Sequence, residues 1–172
     1  LNENGVFVFE DPYIGSVIKM NSYDQFYDEH VHVFSLLAIE KIISKHELKI
    51  FDVELLTTHG GSIRFYVCKK GSKRITKHRV LNLRLKEIKQ GLNRINTYKK
   101  FASRVRKSRE DLVSLLKDLK VRGKKIISYG ATYKSATIFN YCNIDKRLID
   151  YVSDSTKNKQ GKFTPGKHLP IV

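Results

Sequence analysis

Lys124 to Asp154 reads KKIISYGATYKSATIFNYCNIDKRLIDYVSD, and the punctuation of this stretch decides the fold class. Lys124 to Tyr129 is a short apolar run suited to a buried strand. Gly130-Ala131-Thr132 is a turn of small residues, and Tyr133 to Tyr141 carries Ala136, Ile138 and Phe139 on a helical pattern. Arg147 to Ser153 is a second strand-like run, closed by Asp154. Strand, small-residue turn, helix and strand, with an acidic residue after the second strand, is the opening unit of a nucleotide-binding α/β fold. One glycine stands where a dinucleotide fingerprint has three. The residues alone therefore say that Gly130 and Ala131 let the helix approach the sheet, with its N-terminus available to an anion.

Upstream, Gly5 to Glu10 (GVFVFE) is a continuous apolar run stopped by Asp11-Pro12, which reads as a buried strand followed by a loop. Residues 13–34 are rich in Tyr, Phe, Asp and His and show no clean period. In Ser35 to Lys45, Leu36, Ile39, Ile42 and Ile43 fall at helical spacing behind Ser35 as N-cap. Lys49 to Leu56 and Ser62 to Lys69 alternate as strands around His59-Gly60-Gly61, an antiparallel hairpin. Beyond the basic segment KGSKRITKHR (70–79), Leu85, Ile88, Leu92 and Ile95 form a heptad-like helical stripe too short for a coiled coil. Gly91 inside it costs about 1 kcal/mol relative to Ala and marks a break. A further helix runs through Tyr98, Phe101, Val105, Leu112, Leu115 and Leu119. Ser108 and Asp111, in capping-box spacing, mark a point where it could restart.

The chain has 172 residues, 41% hydrophobic and 29% charged, enough for one good core or two small ones and too apolar for disorder. No run approaches the length of a membrane span and no signal peptide opens the chain, so the default expectation is cytoplasmic, with no membrane partner. Cys68 and Cys142 lie outside any CxxC spacing and read as buried small hydrophobes. The net charge of +16 is unevenly spread. Residues 1–68 hold 5 Lys/Arg and 10 Asp/Glu, and residues 69–172 hold 28 and 7, which is −5 against +21. Such a basic half suggests a polyanionic partner, although a Lys, Ile and Asn bias also arises from AT-rich coding. The change of sign sets the expected organisation: 1–69 as one α/β unit, 70–80 as a basic linker, and 81–172 as helices plus a C-terminal α/β unit.

Titratable residues are densest in Tyr23 to Ser35 (YDQFYDEHVHVFS). Histidine is the one side chain whose ordinary pKa lies near neutrality. His30 as a base, oriented by Glu29 or another carboxylate and accompanied by the Tyr27 phenol, is a kit for removing a proton beside a carbonyl. His30 and His32 could instead be a strand-type metal pair, but no third ligand is indicated, and these groups could simply satisfy one another on a polar surface. No GxSxG, Walker loop, HExxH or kinase signature occurs.

Five segments in order, GVFVFEDPY (5–13), YDQFYDEHVHVFS (23–35), HGGSIRFYV (59–67), ISYGATYKSATIFN (127–140) and KQGKFTPGKHLPIV (159–172), resemble the nucleotide-sugar C-methyltransferase family. The resemblance implies S-adenosylmethionine-dependent methylation of a carbon beside the keto group of a deoxysugar linked to a nucleoside diphosphate. It implies a partial class I methyltransferase sheet, beginning at the fifth strand, followed by helices and a C-terminal Rossmann-like domain. The donor-binding loop and a zinc-binding piece would lie upstream of this chain, which leaves room for a separate donor-binding polypeptide as a partner and makes nucleic acid an unfavoured one. The family's YHEH motif matches Tyr27-Asp28-Glu29-His30 with Asp28 in place of the first histidine, so Tyr27, Glu29 and His30 carry over as catalytic residues. Gly60, Gly61 and Ser62 resemble a substrate-side hairpin turn, and Tyr129, Gly130, Ala131, Thr132 and Lys134 a substrate-binding βα turn. The competing expectation is a non-catalytic basic module that binds nucleotide or nucleic acid through phosphate contacts.

Overall fold

A computed structural model describes residues 1–172 as a mixed α/β chain. Contacts divide it into two units, one formed by Leu1–Tyr23 and His30–Ala102, the other by Asp24–Glu29 and Ser103–Val172.

The first unit is built on three strands, β1 (Phe7–Pro12), β2 (Leu48–Leu56) and β3 (Ser62–Lys69), in the order β1-β3-β2 with both neighbours antiparallel to β3. The expected hairpin is present, and its alternation explains why: Ile63, Phe65 and Val67 point one way into the core and are fully buried. Helix α1 (Ile14–Met20) falls in the stretch without a period; at seven residues it is too short to show one. Helix α2 (Leu36–Ile43) starts where expected, with the Ser35 side chain accepting from Ala38 N at 3.1 Å. Tyr13, Ile14, Leu36, Ile39, Val53 and Val80 close the core over the sheet.

Helix α3 (His78–Gln90) ends on Gly91 in the left-handed region, the break that glycine predicted. Its buried face is Val80, Leu83 and Glu87, while Leu85 and Ile88 of the heptad-like stripe are exposed. The stripe is thus not the packing face of this helix. The basic segment 70–80 lies inside the first unit. Asp52, buried on β2, forms ion pairs with Lys77 and Arg79, each at 2.6 Å, and Lys77 N donates to Phe51 O at 2.8 Å. Burial opposes ionisation of Asp52, but the hydrogen bonds from Arg79 and Lys77 outweigh it and hold the carboxyl below its usual range.

Helix α4 (Ile95–Val121) is one continuous helix contributing residues 95–102 to the first unit and 103–121 to the second. The restart at Ser108 does not occur. Asp111 is engaged by Lys107 one turn earlier, at 2.5 Å, and Asp118 by Arg122 at 2.8 Å, so the residues that suggested a cap serve as helix-surface ion pairs.

The second unit contains the expected strand–turn–helix–strand. Strand β4 (Ile127–Tyr129) and strand β5 (Tyr151–Ser153) are parallel, joined through helix α5 (Tyr133–Cys142). Both strands are shorter than their apolar runs. Residues 145–149 are taken up by a turn in which Asp145 accepts from Arg147 N and pairs with its guanidinium, and Lys124–Ile126 precede the paired register. Phe139, Cys142, Ile144, Ile149, Val152, Leu169 and Ile171 form the core. Cys68 and Cys142 are both free and buried. No helix is long and apolar enough to cross a membrane.

Candidate functional site

The YDEH cluster is divided between the units: Tyr27, Asp28 and Glu29 group with the second and His30 with the first. Asp28 and Glu29 are exposed, whereas Tyr27 and His30 are half-buried. Asp28, the departure from the family motif, therefore sits in water. Partial burial raises the Tyr27 phenol, and the carboxylates of Glu29 and Asp28 push it the same way. A phenol kept protonated is a hydrogen-bond donor over the whole physiological range.

Within the second unit, the Tyr27 ring lies parallel to the Tyr133 ring, centroids 5.7 Å apart and 5° between planes. The Thr137 hydroxyl donates to Phe26 O at 3.0 Å, so the 24–29 segment is fastened to α5 by two contacts. Tyr133 in turn lines a cavity of about 420 Å³ together with Ala131, Thr132, Lys162, Phe163 and Pro165. The structure thus brings Tyr27, the βα turn and the C-terminal FTP segment to one place, though more than 130 residues separate them. Tyr133, Lys162 and Phe163 were not among the expected site residues. A signal existed: Tyr133 and Phe163 are large aromatics in turn-flanking positions, and they are 59% and 62% exposed.

The turn itself has little left to offer an anion. Gly130 N donates to Ser153 O at 2.7 Å, Ala131 N to Asp154 Oδ2 at 2.7 Å, and Thr132 N to Ser135 Oγ at 2.9 Å within a full capping box. Asp154, which in a dinucleotide site would face a ribose, turns back to the loop and also receives Lys159 Nζ at 3.2 Å. Lys134 is partly buried, and Tyr129 is 84% exposed. The backbone amides of Gly130, Ala131 and Thr132 are therefore committed within the turn, and no group of three or more His, Cys, Asp or Glu is arranged to hold a metal ion.

In the hairpin turn, Gly60 and Gly61 adopt positive φ, and Gly61 O accepts from Tyr13 N at 3.0 Å. A Cβ on Gly61 would collide with the Ser16 side chain. Ser62 is buried, its hydroxyl donating to Thr58 O at 3.3 Å. These three residues shape the turn against α1. His32 is exposed and stacks on Phe34, centroids 6.1 Å apart.

Hydrogen bonds from Thr156 and from Ala131 N, joined by Lys159, hold the Asp154 carboxyl far below its usual range against the cost of its burial. A depressed folded-state value contributes stability above the ordinary carboxylate pKa, and that stability is lost as pH falls through the depressed one. Asp154→Asn should therefore lower the thermal midpoint at about pH 7, and the gap to wild type should close toward about pH 2. Thermal unfolding followed by circular dichroism checks this; a gap of equal size at both ends would mean that the charge is not what holds the loop.

The sequence matches the family described as C-methyltransferase C-terminal domain over residues 57–172, and the chain belongs to that family. It is also 31% identical over 171 residues to C-methyltransferase NovU of Streptomyces niveus; the match covers 99% of this chain and 41% of that relative. The chain thus spans about two-fifths of the length of the curated relative it matches.

Proposed function

We propose that this chain is the substrate-side, C-terminal part of an S-adenosylmethionine-dependent C-methyltransferase whose substrate is a keto-deoxysugar linked to a nucleoside diphosphate. The observation that carries the reading is the stack of Tyr27 on Tyr133 beside the cavity of the second unit. Within the second unit it sets Tyr27 of that cluster beside an apolar recess of the size a nucleoside fills. Phe163 and Pro165 offer the recess an apolar surface, and Lys162 offers a cation for phosphate oxygens.

A hydrogen on the carbon beside a ketone is acidic only because the resulting enolate is delocalised onto oxygen. His30 is the base that takes it. The Tyr27 hydroxyl donates to the oxygen on which charge develops, and Glu29 supplies a nearby carboxylate. In this reading the methyl donor is held by the donor-binding part.

The finer fold reading is of a partial class I methyltransferase sheet followed by a Rossmann-like unit. Strand β1 supports it. Phe7 and Val8 project from opposite faces of this edge strand and are 50% and 47% exposed. Edge strands ordinarily carry charges or prolines, whereas apolar residues on both faces characterise the interior of a covered sheet. A donor-binding α/β part, as a separate polypeptide or as part of a longer one, is the partner this reading supplies.

Binding tests the reading against a basic polyanion-binding module. Calorimetry should give saturable binding of a nucleoside diphosphate to this chain that weakens only modestly between about 50 and 200 mM salt, with unrelated duplex DNA binding weakly. Loss of DNA affinity by about 10³-fold or more over that interval, with no nucleotide binding, would favour the polyanion reading.

A further inference from the structure

A cavity of about 770 Å³ in the second unit is bounded on one side by α4 and on the other by the turn that follows α5. It is separate from the recess beside Tyr133. That recess takes Tyr133 and Ala136 from the start of α5, whereas this cavity takes Cys142 from its last turn. At roughly 1.5 Å per residue, about 13 Å of helix lies between Tyr133 and Cys142. Four cations line the cavity, Arg106, Arg109 and Lys117 from α4 and Arg147 from the turn, against two carboxylates, Glu110 and Asp145. Lys117 stands about three turns beyond Arg106, and Arg109 three residues beyond it, so all three share one side of the helix.

The neighbouring lysines of α4 meet acids: Lys107 pairs with Asp111 and Lys120 with Asp150. The cations facing the cavity from α4 do not. Arg106 donates to the Ser103 hydroxyl at 3.2 Å, Arg109 lies over the Tyr141 ring with its guanidinium carbon 5.4 Å from the centroid, and Lys117 has no ion-pair partner. Arg147 does have an acid, and that acid is committed to it. Asp145 accepts from Arg147 Nε at 3.0 Å, Nη2 at 2.7 Å and the backbone N at 2.9 Å, which holds its carboxyl down to about 2 and leaves Nη1 outside the pair. Two guanidiniums are thereby held in place without a ligand, one by an aromatic ring and one by a carboxylate. The residue types are also informative. The chain has 23 Lys and 10 Arg, yet three of the four cations here are arginine. AT-rich coding favours lysine and does not produce that inversion. Arginine is the cation whose planar fork of donors matches phosphate oxygens.

We propose that this cavity is a second anion site of the protein, which takes a small ligand carrying two or more phosphate groups and lies apart from the recess at the other end of α5. More than one phosphate is required because the cations of α4 are distributed over about 16 Å of helix. The inference stands on these contacts and does not depend on the reading of the recess.

Inorganic pyrophosphate is the probe, titrated into the full chain at fixed ionic strength and followed in proton–nitrogen correlation spectra, which also report that each variant is folded. The amides of residues 106–117 and 143–148 should shift saturably. Arg109→Gln combined with Lys117→Gln should weaken this binding by about 10-fold or more. Lys86→Gln combined with Lys89→Gln removes the same charge from exposed residues of α3 and should cost under about 2-fold, as should Lys162→Gln in the recess. Equal losses in the two double variants, or shifts that never saturate, would mean diffuse attraction to a basic surface and overturn the site. Shifts confined to residues 131–136 and 162–165 would put the phosphates in the recess alone and overturn it as well. Uridine diphosphate that binds the cavity no tighter than pyrophosphate identifies the phosphates as what is read, and binding about 10-fold tighter identifies a nucleotide; both results uphold the site. Duplex DNA that displaces pyrophosphate from the cavity at lower concentration would make it a nucleic-acid surface and overturn the small-anion assignment.

Discussion

His30→Gln is expected to slow exchange of the sugar α-proton with solvent by about 100- to 10,000-fold in an assembly that includes the donor-binding part, the range that loss of a general base produces. Glutamine keeps polar atoms near the ring's position but cannot accept a proton near neutral pH, so the loss reports basicity rather than shape. Exchange followed by NMR in deuterated water requires no turnover of the methyl donor and isolates proton removal from methyl transfer. Tyr27→Phe should cost less, because the phenol only stabilises charge on oxygen and water can partly replace it. His32→Ala should be nearly silent, since that ring is exposed and stacked on Phe34. Wild-type exchange in folded His30→Gln would place the base elsewhere and return the YDEH cluster to a hydrogen-bonded surface turn.

The largest effect on stability is expected at Glu87. This side chain is fully buried on α3, and its carboxylate accepts Leu36 N at 2.8 Å and Leu37 N at 2.9 Å. It thereby satisfies the first two amides of α2, which a helix cannot bond internally. Glu87→Ala strands both donors, and Leu36 is fully buried, where water does not enter. At about 1–3 kcal/mol for each buried donor left unpaired, less the desolvation cost that disappears with the charge, the net loss should be about 2–4 kcal/mol. Glu87→Gln keeps one acceptor and should lose roughly half as much. Urea unfolding measures both, and a loss under about 1 kcal/mol in the alanine variant would mean that the cap contributes little.

Glu87 also carries a pH signature. Burial raises its carboxyl, outweighing the stabilising amides of Leu37 and Leu36. A raised folded-state value contributes stability that is full below the ordinary carboxylate pKa and is lost as pH rises through the raised one. Glu87→Gln should therefore lack this decline, opposite in direction to the acid-side loss expected from Asp154. The buried Tyr13 phenol is raised by its own burial and further by the charge of Glu87.

The sequence by itself determined the local elements and the family. Alternating apolar residues in 49–56 and 62–69 can bury one face only as paired strands, Ser35 and Gly91 end helices through their own backbone chemistry, and Gly130 to Thr132 between two apolar runs dictates strand, turn and helix. The charge reversal after residue 68 read as a boundary because composition does not show that Asp52 draws Lys77 and Arg79 onto β2. Leu85 and Ile88 of the heptad-like stripe stay exposed because α3 buries a different face, where Glu87 can reach the start of α2 fifty residues earlier. The motif that named Tyr27, Glu29 and His30 said nothing of Tyr133 or Phe163, since each enters through a contact between segments distant in the chain. Local pattern fixes what a residue can do from its own backbone and neighbours. Which amides an acid occupies and which ring a tyrosine meets depend on long-range packing, and only the tertiary structure decided them.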